Sequence, residues 1–301
     1  MEVGRDEPDL GNSLAPSMQC VLVGCRATLL RLCQTSGMTI LLIAVVLYLV
    51  AAGWLALGAA RGREGDARGW QAPAALAVLL HGATHFLAWQ HSGATDLHFF
   101  AALSLVGLGM AILTALAGAR ARLPALGVVV FPLAAILLLA YGLYGHARQP
   151  EPLDWRLLLH AWLALLSYAT LALAAVLAVF LWAQDRALRR RQFSGWLRAL
   201  PPLTELEKLL FRTVAVGFAL LTATLLTGVL FVEDLLAQHL VHKTVLSVLS
   251  WLVFGGLLLG RWRRGWRGQT AVGWTLVAMA LLVLAFFGSK AVLELVLHRV
   301  P

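Results

Sequence analysis

Eight runs of about twenty apolar residues divide this chain, and their length fixes what it can fold into. The hydrocarbon core of a bilayer is roughly 30 Å thick and takes about 20 helical residues to cross. The runs at 38–59, 73–90, 97–119, 124–146, 157–183, 209–232, 244–260 and 271–290 therefore each predict a membrane-spanning helix. With 60% hydrophobic and only 13% charged residues, a soluble domain is excluded. The connections are short, so neighbouring helices should run antiparallel. A transmembrane barrel would instead read as short segments of alternating polarity, which are missing. The expected fold is an all-α, polytopic membrane bundle of about eight transmembrane helices.

Lysine and arginine are retained on the cytoplasmic side of a membrane. Connections 61–72, 120–123, 184–208 and 261–270 together carry fifteen, against five in 91–96, 147–156, 233–243 and the tail from 290. That bias predicts both ends of the bundle on the outer side, which is the periplasm for a bacterial inner membrane. Topology accounts for the basic residues, so the lipid bilayer is the expected partner and nucleic acid is not. The turn Arg261-Trp262-Arg263-Arg264-Gly265-Trp266-Arg267-Gly268 reads as an interfacial anchor.

Residues 1–37 stand apart from the membrane domain of 38–301. They mix acids with an arginine-interrupted apolar patch that holds all three cysteines, Cys20, Cys25 and Cys33. The reading is a disordered tail or a mis-assigned start, with translation beginning at Met38. A peptide upstream of Met38 in mass spectrometry would contradict the latter. No thiol is left in the membrane domain to support a metal or redox pair.

All nine histidines fall at the middle of the bilayer or toward its outer side. His81 lies near the middle of the second span and His85 one turn outward on the same face, about 6 Å along the axis. His91 ends that helix, His98 begins the third span, His146 ends the fourth and His160 sits just inside the fifth. His239 and His242 precede the seventh span and His298 follows the eighth. Neutral imidazole ligates haem iron and metal ions. Histidine at a helix end is also an ordinary interfacial side chain, a reading that fits His91, His146, His239 and His298. Polar groups inside hydrocarbon are costly and normally face a partner in the bundle, which singles out His81, His85 and His160 as either ligands or satisfied structural residues. A weaker alternative is an outward metal site from His85, His91, His239 and His242.

Other chemistry is not encoded. No phosphate-binding glycine loop and no nucleophile with a neighbouring base recurs, so no enzymatic activity is expected. Glu233, Asp234 and Glu294, acids in or beside the spans, lie at the outer surface, which argues against a buried proton relay. Gly217, Thr222, Thr224, Thr227 and Gly228 in span six, and Gly255 and Gly256 in span seven, read as close-packing positions. Pro132 is the proline well inside a span.

Several blocks in order carry a family resemblance: Leu159-His160-Ala161 through Leu166-Ser167-Tyr168-Ala169; Leu200 to Glu207; Gly217-Phe218, Leu221-Thr222 and Thr227-Gly228; Lys243-Thr244 through Ser250-Trp251; Gly265 to Gly268; and Phe286 to Ser289. The chain resembles the cytochrome c assembly family that includes CcsA and HemX, and most closely its eight-helix, YpjD-like inner-membrane branch. The match is strong over 150–297 and holds only in outline over the first four helices. The resemblance implies haem handling on the outer face of a bacterial inner membrane, in support of cytochrome c maturation and alongside other maturation membrane proteins. It places His160 as the first axial ligand to haem iron, with His81, and after it His85, as an intramembrane histidine. His298 falls roughly at the second outer histidine and His242 at the mouth of span seven. His160 and His81 are thus the two candidate metal ligands, and His160 paired with His81, His242 or His298 is the expected clamp. Two departures stand out: the segment 233–243 has none of the tryptophans that haem-handling members carry there, and Leu259 replaces a second intramembrane histidine. They keep open an alternative, a non-catalytic membrane scaffold or regulator of a partner complex that has lost haem binding.

Overall fold

The protein is described by a computed structural model over residues 16–61, 69–120, 125–145, 153–190, 201–231 and 241–288, with backbone only for 16–36, 119, 120, 125, 242 and 288. Helices α1 (Pro16–Ala60), α2 (Gln71–Ser92), α3 (Phe99–Arg120), α4 (Ala125–Tyr144), α5 (Trp155–Arg189), α6 (Leu203–Phe231), α7 (Val241–Arg264) and α8 (Gln269–Val283) follow in order. A wider π-helical turn, Leu284–Gly288, closes α8. No strand occurs among the described residues. Each apolar run falls on its own helix, and all eight helices are long and apolar enough to cross a membrane. The membrane-crossing part of α1 begins at Gly37, and the helix continues upstream to Pro16, through residues for which the sequence suggested a disordered tail.

The helices pack as two groups that share α3. Tyr48, Ala51, Leu55, Trp70, Ala74, Ala77 and Phe131 form the core of α1, α2 and α4. The larger core joins α5 to α8 with Leu105, Val106 and Met110 of α3. α5 is the longest of the membrane spans, and its 35 residues reach about 52 Å, well beyond a hydrocarbon layer of roughly 30 Å. Its excess runs out at the arginine-rich end, where polar groups take over from lipid. There Gln184 Nε2 donates to the Pro201 carbonyl at 3.0 Å and Gln269 Nε2 to Asp185 Oδ2 at 2.6 Å. The Arg261 guanidinium donates to Glu207 Oε1 at 2.6 Å and to the Trp266 carbonyl at 3.1 Å. The interfacial turn thus ties α6, α7 and α8 together, while Trp262 stays exposed.

Small residues set the helix contacts, as the sequence suggested. Gly217 lies against Leu171, Gly255 against Phe218 and Gly256 against Trp274. Ser167 Oγ donates to the Gly217 carbonyl, Tyr168 Oη to that of Leu282 at 2.6 Å, and Ser250 Oγ to that of Ala278 at 2.8 Å. These buried bonds join α5 to α6 and α8, and α7 to α8. α3 approaches α5 closely at Gly109, where an added Cβ would stand 2.7 Å from Ala169 Cβ. Neither group can swing aside, so Gly109→Ala should lower stability by about 1–3 kcal/mol. A thermal melt in detergent measures this, and an unchanged midpoint would show that the helices separate freely.

Candidate functional site

The connection between α2 and α3 is built to present polar groups at one membrane surface. α2 stops because Gly93 adopts φ +71°, a left-handed conformation suited to glycine, and its N–H caps the Trp89 carbonyl at 2.8 Å. Three residues on, Asp96 Oδ1 accepts from the backbone N–H of His98 at 3.1 Å and from its ring Nδ1 at 2.5 Å. One carboxylate oxygen therefore holds both the backbone and the ring of the residue that precedes α3. Burial opposes ionisation of Asp96, but the two hydrogen bonds from His98 and the nearby His98 and His85 imidazoles outweigh it and hold the carboxyl below its ordinary range. A carboxylate depressed in the folded state adds stability above its unfolded value, about 3.9, and loses it as pH falls through the folded one. The melting-point gap between wild type and Asp96→Asn should therefore persist from neutral pH to about pH 5 and shrink below about pH 4. A gap that stays constant into that acid range would contradict the pairing.

From this surface a chain of polar side chains descends into the bundle. His81 is fully buried, with Nδ1 3.2 Å from Tyr48 Oη and Nε2 2.9 Å from Ser104 Oγ. Ser104 Oγ also lies 3.0 Å from His85 Nε2. The rings of His81, His85, Tyr141 and His98 follow one another at centroid separations of 5.6, 4.6 and 6.0 Å. Tyr48 Oη is buried, and donating its proton to His81 Nδ1 satisfies it. That makes His81 Nε2 the N–H that donates to Ser104, whose own hydroxyl then donates to His85 Nε2. His85 is left with its proton on Nδ1. Both nitrogens of His81 are consumed in this network, so His81 serves as a satisfied structural histidine between α1 and α3, with no nitrogen left for iron.

His160 stands in different surroundings. It lies on the second turn of α5, about 7 Å inside the start of the helix, and it turns toward α6, where its Nδ1 is 3.1 Å from Thr227 Oγ1. Thr227 Oγ1 already donates to the Ala223 and Thr224 carbonyls at 2.9 and 3.0 Å. With its one proton so placed, Thr227 accepts from His160, which fixes the proton on Nδ1 and the lone pair on Nε2. Gly228 lets the ring pack directly on α6, since an added Cβ would come within 3.2 Å of His160 Cε1. Arg156 lies one turn nearer the surface on the same helix face.

The arrangement does not bring His160 and His81 together. One packs on α6 and the other between α1 and α3 with both ring nitrogens in hydrogen bonds, an arrangement that does not favour the clamp of iron by His160 and His81. His81 and His85 are neighbours, but Ser104 bridges them. His91 is exposed on the last turn of α2. His146, His239 and His298 lie outside the described residues, as does the side chain of His242, whose backbone forms the first turn of α7. Among the described residues, no group of three or more His, Cys, Asp or Glu side chains is placed to hold a metal ion.

Two features went unranked in the sequence. His98 has Nδ1 fixed by a carboxylate and a buried Nε2 with no hydrogen-bond partner, the orientation in which second-shell carboxylates hold ligating imidazoles. Its signal was the Asp96-Leu97-His98 spacing ahead of a helix. Thr227 was read as a packing residue, yet it sets the tautomer of His160. Beside the polar chain, a cleft of about 600 Å³ opens between α2, α3 and α5, with His85, Asp96 and Tyr141 among its lining residues.

The model of the cytochrome c assembly protein family matches residues 70–297, and the chain belongs to that family. It is 36% identical over 140 residues to inner membrane protein YpjD of Escherichia coli strain K12, covering 46% of this chain and 53% of that protein. It is 28% identical over 134 residues to protein HemX of Brevibacillus brevis, covering 44% and 49% of the two chains. It is 24% identical over 155 residues to cytochrome c biogenesis protein CcsA of Synechococcus sp. strain CC9605, covering 44% and 51%. The chain thus matches about half the length of these curated relatives. No solved structure matches it.

Proposed function

We propose that this member of the cytochrome c assembly family binds haem at the histidine-bearing end of the bundle and supports cytochrome c maturation from the outer face of a bacterial inner membrane. The observation that carries the reading is the His160–Thr227 pair, which leaves His160 Nε2 as a lone-pair nitrogen. That is what an axial ligand requires. The residues fit haem in a second respect, because Arg156 offers a cation toward the membrane surface to the carboxylates of a porphyrin. His242, on the first turn of α7 beside the same end of α6, and His298 would be the candidates for a second iron ligand. His98 is a separate, carboxylate-oriented imidazole. When bound, haem supplies the iron and the macrocycle. The chain holds the ligand nitrogen, orients it through Thr227 and covers the site with apolar helix faces, with no bond-making step of its own. The arginine bias supports a periplasmic position for both ends of the bundle.

A second reading, a scaffold for a partner membrane complex that no longer binds haem, is favoured by the tryptophan-free segment 233–243. The two separate in cells. Deleting the gene should lower haem-stained c-type cytochromes, and wild type but not His160→Ala should restore them. Full restoration by His160→Ala would favour the scaffold.

A further inference from the structure

The cleft between α2, α3 and α5 is lined on α5 by Leu158 and Trp162 and not by His160, and it has a different chemistry. α2 and α5 both pack on α3 but scarcely on each other, which leaves a groove floored by Leu105, Leu108, Gly109 and Ile112 of α3. Its volume of about 600 Å³ lies within the range of small-molecule sites. Phe86, Trp89 and Trp162 on its rims are exposed, and on membrane spans such residues face lipid. The groove therefore opens sideways to the acyl chains. It runs from Thr95 and Asp96 at the membrane surface down to Ile112, thirteen residues into α3, about 20 Å along the axis and past the middle of the bilayer.

Polarity is confined mainly to the mouth. His85 carries its proton on Nδ1, as the Tyr48–His81–Ser104 chain dictates, and is a donor. Asp96 has Oδ1 bound to His98 and keeps Oδ2 as an acceptor. Among the described residues, no lysine or arginine lines the cleft. A phosphate head, a fatty-acid carboxylate or the carboxylates of a porphyrin would meet Asp96 with no compensating cation. The site calls for an uncharged head that both accepts and donates a hydrogen bond, flat enough for aromatic walls, on a long apolar tail. We propose that this cleft binds a prenyl quinol or quinone, with the ring at the mouth between His85 and Asp96 and the tail along α3 toward Ile112. A ring oxygen accepts from His85, and a quinol hydroxyl donates to Asp96. The tail replaces lipid against the α3 floor.

The test uses the full chain in phosphatidylcholine nanodiscs, titrated with a short-chain quinone and, separately, its quinol, and read by quenching of tryptophan fluorescence. Saturable quenching is expected, diminished in amplitude by Trp89→Phe and Trp162→Phe. His85→Ala should weaken both forms about tenfold or more, the worth of a buried hydrogen bond left unmade, whereas Asp96→Asn should weaken the quinol more than the quinone. Should His85→Ala fail to fold, Ile112→Trp, a lipid-facing change that fills the tail channel, should block binding alone. Non-saturable quenching, quenching equal in wild type and Ile112→Trp, or displacement by phosphatidylglycerol or oleate as readily as by quinone would each overturn the proposal. His160→Ala should leave the titration unchanged, so this site and the haem reading stand or fall separately.

Discussion

Replacing His160 by alanine is expected to abolish haem binding by the purified protein, and this is the largest functional effect foreseen for one side chain. Iron loses its nitrogen outright, and no other imidazole on α5 or α6 can take its place, because His160 is the one histidine on either helix. The informative companion is Thr227→Val, which keeps the shape of the side chain and removes the oxygen that accepts from Nδ1. Without that acceptor the ring can turn or change tautomer, and haem affinity should fall by about 10–100-fold, the range for loss of a second-shell partner. Titration of added haem, followed at the Soret band, measures both. Equal affinity in wild type and Thr227→Val would mean that the hydrogen bond does not orient the ligand.

The opposite pattern is expected at His81, where His81→Ala should destabilise the bundle strongly and leave haem affinity intact. The ring has no exposed surface and joins Tyr48 on α1 to Ser104 on α3. Its removal opens a cavity and strands a buried phenol, at a cost of about 2–4 kcal/mol. Tyr48→Phe removes one hydroxyl while keeping the ring packed on Phe131, and should cost only about 1 kcal/mol. Thermal unfolding in detergent ranks the two. Loss of haem binding in a His81→Ala protein that still melts cooperatively would return His81 to the ligand set.

The membrane fold was legible because its signal is local. Twenty apolar residues need a helix whatever their neighbours, and every run became one. Helix ends were less legible, since Gln184 to Arg189 continue α5 beyond the lipid, where hydropathy no longer marks the helix and polar partners just before α6 and on α8 do. The histidines were legible as a set but not as individuals. What separates His81 from His160 is the partner each meets, Tyr48 and Ser104 at sequence distances of 33 and 23 in one case and Thr227 at 67 in the other. Such pairings follow from helix packing and leave no periodic trace. The Asp96–His98 pair was readable from spacing, but its capping geometry depends on the left-handed Gly93. The family blocks ranked His160 first, and the hydrogen bond that its Nδ1 donates to Thr227 Oγ1 depends on a partner 67 residues away.

The central claim is that the His160 end of this bundle binds haem, and the visible spectrum of the detergent-purified wild-type protein tests it most directly. A Soret band, with split α and β bands on reduction, is the result expected for haem held by two imidazoles, either as isolated or after haem is added. A colourless protein that takes up no added haem while remaining folded would contradict it.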